Sequence, residues 1–216
     1  VSDSAAFHEV DEAVRKDELK EWWARYGTWI VAAAVVAVVA VAGLVGWRQY
    51  DTAQRAEASA AYSAALAKIS QDPAAARTEF DSQAKSAPEP YRSLAALIAA
   101  QLNEPQEAQV TALLAVAPTL STPELTDLAN VIAGFKSVDS PKAAEVIANL
   151  EPLAGPDRPF RLSVRELQAL VALHKGDLKR AREVWTEISK DPGVPQGAIQ
   201  RVTAMLNLHG GAAEAK

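Results

Sequence analysis

The chain contains no cysteine, which excludes disulfide cross-links and thiol chemistry and permits an oxidising compartment without requiring one. Aromatic residues make up only 6 % of it, and alanine is abundant, a balance that favours close-packed helices over a sheet. Basic charge is not in excess: 22 Lys and Arg stand against 27 Asp and Glu. No basic stripe is visible, so nothing draws the protein to nucleic acid. The motifs of common catalysis are missing too, with no G-x-S-x-G, no phosphate loop, no H-E-x-x-H and no histidine pair at metal spacing. His8 and His209 lie near the two ends, and His174 closes an expected helix, where an imidazole caps carbonyls or meets the helix dipole. No catalytic, metal-binding or cofactor-binding residue is therefore expected. Glu145 and Glu151 read as solvated helix faces. Arg158, Arg161 and Arg165 fall close together, as solvated charge or, alternatively, as a seat for an acidic partner.

Charge is absent altogether from Tyr26 to Trp47, between Arg25 and Arg48. As a helix, those 22 residues reach roughly 33 Å, against a bilayer hydrocarbon core of about 30 Å. Trp29 and Trp47 bracket the apolar run, with Tyr26 and Tyr50 beside them, as amphipathic rings at the two interfaces do. A cleaved signal peptide has a shorter core and a small-residue site close behind it; here the nearest such site, Ala56-Glu57-Ala58, lies among charges well past the run. A transmembrane helix over 26–47 is expected. Four basic residues precede it closely (Arg15, Lys16, Lys20, Arg25) and two follow (Arg48, Arg55). The positive-inside rule then keeps residues 1–25 in the cytoplasm and exports the remainder.

Residues 1–7 show no pattern and are expected to be disordered. Val10, Val14, Leu19, Trp22 and Trp23 fall on one helical face, so Asp11–Arg25 reads as a short amphipathic helix with Gly27 as a break. It is either a docking or lipid-contact segment or simply the basic flank that fixes topology.

Beyond the span, Asp51–Ser70 is Ala-rich and helical, and then a pattern repeats. Asp72-Pro73-Ala74-Ala75-Ala76 is answered by Glu104-Pro105-Gln106-Glu107-Ala108, by Ser140-Pro141-Lys142-Ala143-Ala144 and by Asp177-Leu178-Lys179-Arg180-Ala181. The closing alanines are spaced 32, 36 and 37 residues apart. A polar residue followed by proline signals a helix start, and a small side chain one turn later lets a neighbouring helix approach. Ala108, Ala144 and Ala181 are expected to be buried. A further helix precedes each of the last three copies, over Tyr91–Leu102, Leu125–Val138 (opened by Thr122-Pro123-Glu124) and Phe160–His174. Gly176 suits a left-handed position after the last of these, and Gln196–Leu208 forms one more helix before a disordered tail over 209–216. Helix pairs repeating at this period bury their apolar stripes only by stacking. The fold class is all-α: one N-terminal transmembrane helix, then an α-solenoid over 51–208.

Gly176-Asp177, Ala181, Trp185 and the Asp191-Pro192 stop, with Ala169 upstream, resemble the tetratricopeptide repeat. Arg165, Gln168 and Ala172 depart from it, standing where that repeat prefers Trp, Leu and Tyr. The layout over roughly 9–208 resembles the YfgM-like family: a charged segment ending in Leu19-Lys20-Glu21-Trp22-Trp23-Ala24-Arg25-Tyr26-Gly27, one span, a TPR-like domain, and Gly155-Pro156-Asp157-Arg158-Pro159-Phe160 with Leu173-His174-Lys175-Gly176-Asp177. That resemblance implies an ancillary subunit of the bacterial Sec translocon in the inner membrane, its repeats in the periplasm receiving exported clients or periplasmic chaperones. The alternative is a structural scaffold holding a fixed envelope complex. The repeat resemblance also implies a partner groove lined by first helices. Counting back from the small residue of each second helix places there Glu166, Leu170, Leu173 and His174; Ala129, Ala133, Lys136 and Ser137; and Ser93, Leu97, Ala100 and Gln101. The competing reading makes Leu97, Leu170 and Leu173 core residues.

Overall fold

The computed structural model describes residues 3–210, with side chains from Lys20 to His209. Helices are the only regular secondary structure among them, in the order α1 (Asp3–Lys68), α2 (Pro73–Ser86), α3 (Tyr91–Gln101), α4 (Gln106–Val116), α5 (Pro123–Ser137), α6 (Ala143–Ala148), α7 (Arg161–His174), α8 (Leu178–Lys190) and α9 (Gln196–Gly210). Two short 3-10 turns, Ala117–Thr119 and Glu151–Ala154, follow α4 and α6. By internal contacts the chain divides into residues 1–54 and 55–216.

In the first unit, α1 is already helical at Asp3 and not irregular to Phe7 as its lack of pattern implied. Ala5 and Ala6 favour helix. The side chains of Val10, Val14 and Leu19 lie outside the described residues. Gly27 does not break the helix. Its missing side chain makes room for the Trp23 indole, whose ring atoms would stand 3.1 Å from a β-carbon there. Trp22 and Tyr26 pair at 5.8 Å between ring centroids, and Trp47 and Tyr50 at 6.4 Å. The valines between these aromatic ends are exposed, with Val36, Val38 and Val39 each about two-thirds accessible. This is the one described helix long and apolar enough to span a membrane.

In the second unit, four apolar clusters follow one another along the chain. Ala65 of α1, Phe80 of α2 and Ala95 and Ala99 of α3 make the first. Tyr62 packs edge-on to Phe80, with centroids 5.4 Å apart. Leu97 and Ala100 of α3, Leu113 of α4 and Ala129 and Ala133 of α5 make the second. Val131 of α5, Ile147 of α6 and Val164, Leu167 and Val171 of α7 make the third. Ala169 and Ala172 of α7, Ala181, Val184, Trp185 and Ile188 of α8 and Val202 of α9 close the series. Thus α3, α5 and α7 each feed two clusters, one on either side. One of the two packed sides is built mainly of small residues, Ala95 and Ala99 on α3, Ala129 and Ala133 on α5 and Ala169 and Ala172 on α7, which lets the neighbouring helix approach closely.

The caps decide where each second helix begins. Asp72 accepts the Ala75 amide at 2.9 Å, and Asp177 that of Arg180 at 3.0 Å. Ala76 and Ala181 then fall at the fourth position after the cap, and both are fully buried. Thr122 likewise caps α5, accepting from the Leu125 amide at 3.3 Å. The other two copies differ. Pro105 is itself the N-cap of α4, in extended conformation, and Glu104 caps nothing. The helix therefore starts one residue late, which turns Ala108 by about 100° out of the contact; Ala108 is only half-buried. In the third copy the Ser140 hydroxyl accepts the Lys142 amide at 3.2 Å, and α6 starts at Ala143. Ala143 takes the buried place and Ala144 is left half-buried. Gly176 is left-handed as expected, at φ 80°. The last helix continues through His209 to Gly210, two residues past the expected end, and the His209 ring stacks on buried Trp185 at 5.8 Å. Residues 211–216 lie outside the described residues.

Candidate functional site

The residues expected to line a first-helix groove separate into three environments. Leu97 belongs to the core at 5 % exposure, together with Ser93, Ala100, Ala129, Ala133 and Ser137. The reason is the two-sided burial of α3 and α5: positions that would face an open groove face the neighbouring helix instead. Gln101 turns back on its own helix, its amide donating to the Leu97 carbonyl at 3.2 Å. Leu170 and Leu173 are half-buried and pack on the last cluster, beside Trp185 and Val202. Glu166 accepts two hydrogen bonds from Arg201 of α9, at 3.1 and 3.0 Å, so it joins α7 to α9. That pairing holds the Arg201 guanidinium even more firmly protonated than usual, through hydrogen bonding and attraction together.

Lys136 and His174 remain, and both border the corner where α5 turns into α6. On one side of that corner a cleft of about 760 Å³ opens between α4 and the stretch from Lys136 to Val146. Val110, Leu114 and Val146 supply its apolar surface, and Glu107, Lys136 and Lys142 stand around it. The Gln106 side chain donates to the Lys136 carbonyl at 2.6 Å and pins the start of α4 to the end of α5. On the other side a smaller hollow of about 230 Å³ lies under His174 and Val171. Asp139 borders both, and its carboxylate lies 3.7 Å from His174 Nδ1. A third depression, along Leu178 and Thr186, is bordered by α8 alone.

The cleft therefore keeps Lys136 from the expected set and adds Val110, Leu114, Val146 and Lys142. Counting along first helices could not find these residues, because they belong to second helices and a connecting turn. The arginine cluster is tied internally. Arg161 pairs with Asp191 at 2.8 Å and Arg165 with Glu187 at 2.9 Å, while Arg158 is exposed. Among the described residues no group of three His, Asp or Glu side chains is placed to hold a metal ion. What the cleft offers is an open, partly apolar surface with charges at its edge, suited to contact with another chain.

No curated protein and no solved structure gives a match to the chain. The family described as Tetratricopeptide repeat-like domain matches residues 20–204, the apolar stretch and the stacked helices together. Domains of this kind are typically protein-interaction scaffolds, and they bind proteins. With four consecutive apolar clusters between its helices and a match over most of its length, the chain belongs to the tetratricopeptide repeat-like family.

Proposed function

We propose that this chain is a single-pass protein of the bacterial inner membrane, with residues 1–25 in the cytoplasm, 26–47 in the bilayer and a protein-binding repeat domain from residue 51 in the periplasm. It acts as an ancillary subunit of the Sec translocon, passing exported proteins to periplasmic chaperones, and performs no catalysis of its own. The observation that carries this reading is that one family match takes in both the exposed apolar stretch and the stacked helices. The basic residues ahead of the stretch support the orientation, and the layout resemblance to the YfgM-like family supports the partner set.

Crosslinking in living cells followed by purification of the full chain in mild detergent tests the reading. Translocon subunits with varied exported clients are expected. One stable envelope partner without clients would favour the fixed scaffold instead. A reporter fused after Lys216 is expected to work only if it matures in the periplasm, and activity of a cytoplasm-only reporter there reverses the orientation.

A further inference from the structure

We infer that the cleft between α4 and the α5–α6 corner takes a protein segment that presents apolar side chains flanked by carboxylates. This rests on the protein-binding reading above and narrows it to one class of partner. Shape comes first. The six residues of α6 extend about 9 Å, against about 16 Å for the eleven of α4, and only Val146 of α6 reaches the cleft wall opposite α4. Leu114 of α4 is 40 % exposed. Next to it lie Val110 and Val146, and the three make an apolar surface open to solvent at one side.

Charge decides what belongs there. Of the four charged side chains at the edge, Glu107 lies on the α4 side, while Lys136, Lys142 and Asp139 lie on the α5–α6 side and leave that side with an excess of positive charge. Glu107 stands in the first turn of α4, where the helix dipole favours it, and Asp139 faces His174. Among the described residues neither Lys136 nor Lys142 makes an ion pair. Both sit on the α5–α6 side of the apolar surface. A segment whose apolar side chains cover Val110 and Leu114 brings its flanking carboxylates against these ammonium groups, whereas a basic segment meets like charge. The apolar surface also sets the cleft apart from a seat for bare anions.

The test uses the full chain in lipid nanodiscs, with empty nanodiscs as the blank. The probe is a fluorescein-labelled amphipathic peptide, leucines on one face and glutamates flanking them, read by anisotropy against its lysine-for-glutamate counterpart. The glutamate peptide is expected to bind and the lysine peptide to bind at least about tenfold more weakly. Lys136→Glu with Lys142→Glu is expected to reverse that preference, Lys136→Gln with Lys142→Gln to abolish it, and Leu114→Gln to weaken both peptides. Unchanged thermal melts confirm that these exposed or half-buried positions leave the fold intact. Equal binding of the two peptides, an unaltered preference in the double variants, or no binding overturns the inference. A photo-crosslinker at Leu114 separates the two levels. If it captures proteins in cells while the glutamate peptide fails, the partner class is wrong and the protein-binding reading stands. If it captures nothing as well, both fall.

Discussion

Leu167 fills the place of a side chain that Gly134 does not have. A β-carbon at Gly134 would stand 2.9 Å from Leu167 Cδ1 and 2.9 Å from Leu150 Cδ1. Leu167 is fully buried and Leu150 nearly so, and neither can swing away without opening space elsewhere in the third cluster. Through this glycine α5 approaches α7 and the turn after α6 closely.

Gly134→Ala sets two effects against each other. Replacing a helical glycine gains up to about 1 kcal/mol in helix propensity, while overpacking a tight core contact costs about 1–3 kcal/mol. With two leucines obstructed at once the second effect wins, and a net loss of about 1 kcal/mol is expected. Urea melts of the chain and the variant, compared at their midpoints, measure it. A stabilised variant would show that the leucines yield freely.

Replacing the alanines of the repeat separates true register from apparent register. Ala181 is fully buried between α7 and α8, so Ala181→Leu is expected to cost about 1–3 kcal/mol. Ala108 sits one position early on a helix that starts one residue late, and Ala108→Leu is expected to change stability by less than about 0.5 kcal/mol. Thermal melts of both variants make the comparison, and equal losses would mean that the two alanines are equivalent after all.

The contrast between those alanines also marks how far the sequence could be read. Asp72, Thr122 and Asp177 announce helix starts by their side chains, and Gly176 announces a stop by its backbone; in each case the determining chemistry is local. Glu104-Pro105 and Ser140-Pro141 look the same in sequence, yet one proline becomes the cap itself and the other precedes a turn. That outcome depends on how α4 and α6 meet their neighbours, which the local sequence does not encode. The two readings of the first-helix positions stay open in the sequence for a related reason. Periodicity identifies the apolar face of α3 or α5 but not that a second face is covered as well, so it cannot choose between groove and core for Leu97, which is buried along with Ala133. The cleft beside Leu114 is bordered by the short α6, and the one hint of that shortness in the sequence is Pro152, four residues past Ala148.

Leu170 tests the remaining part of the first-helix groove. It is half-buried against the cluster of Trp185 and Val202, so Leu170→Glu would place a carboxylate at the edge of an apolar contact, where unpaired charge is costly. The expected result is a lowered melting temperature, with any loss of partner crosslinking following from the loss of fold. An unchanged melting temperature with weakened crosslinking would instead make Leu170 a contact residue.

Asp191 makes stability depend on pH in the acid range. Its carboxylate accepts the Gly193 amide at 3.0 Å and pairs with Arg161 at 2.8 Å, joining the turn after α8 to the first turn of α7. The Gly193 hydrogen bond chiefly, against a smaller opposing effect of burial and with help from Arg161 and Arg165, holds this carboxyl below its ordinary value. A group depressed in the folded state contributes its full stability above the unfolded value, about 3.9 for aspartate. That contribution is lost as pH falls through the lower folded value. Glu89 acts in the same direction: burial pushes it up, but hydrogen bonds from Ser93 and Arg92 outweigh that and lower it. Asp191→Asn removes one of the two. The variant is expected to be less stable than the parent at neutral pH and to lose less on acidification, so that the two urea midpoints converge below about pH 4. Parallel profiles down to about pH 2 would show that the Asp191 carboxylate contributes nothing through its charge.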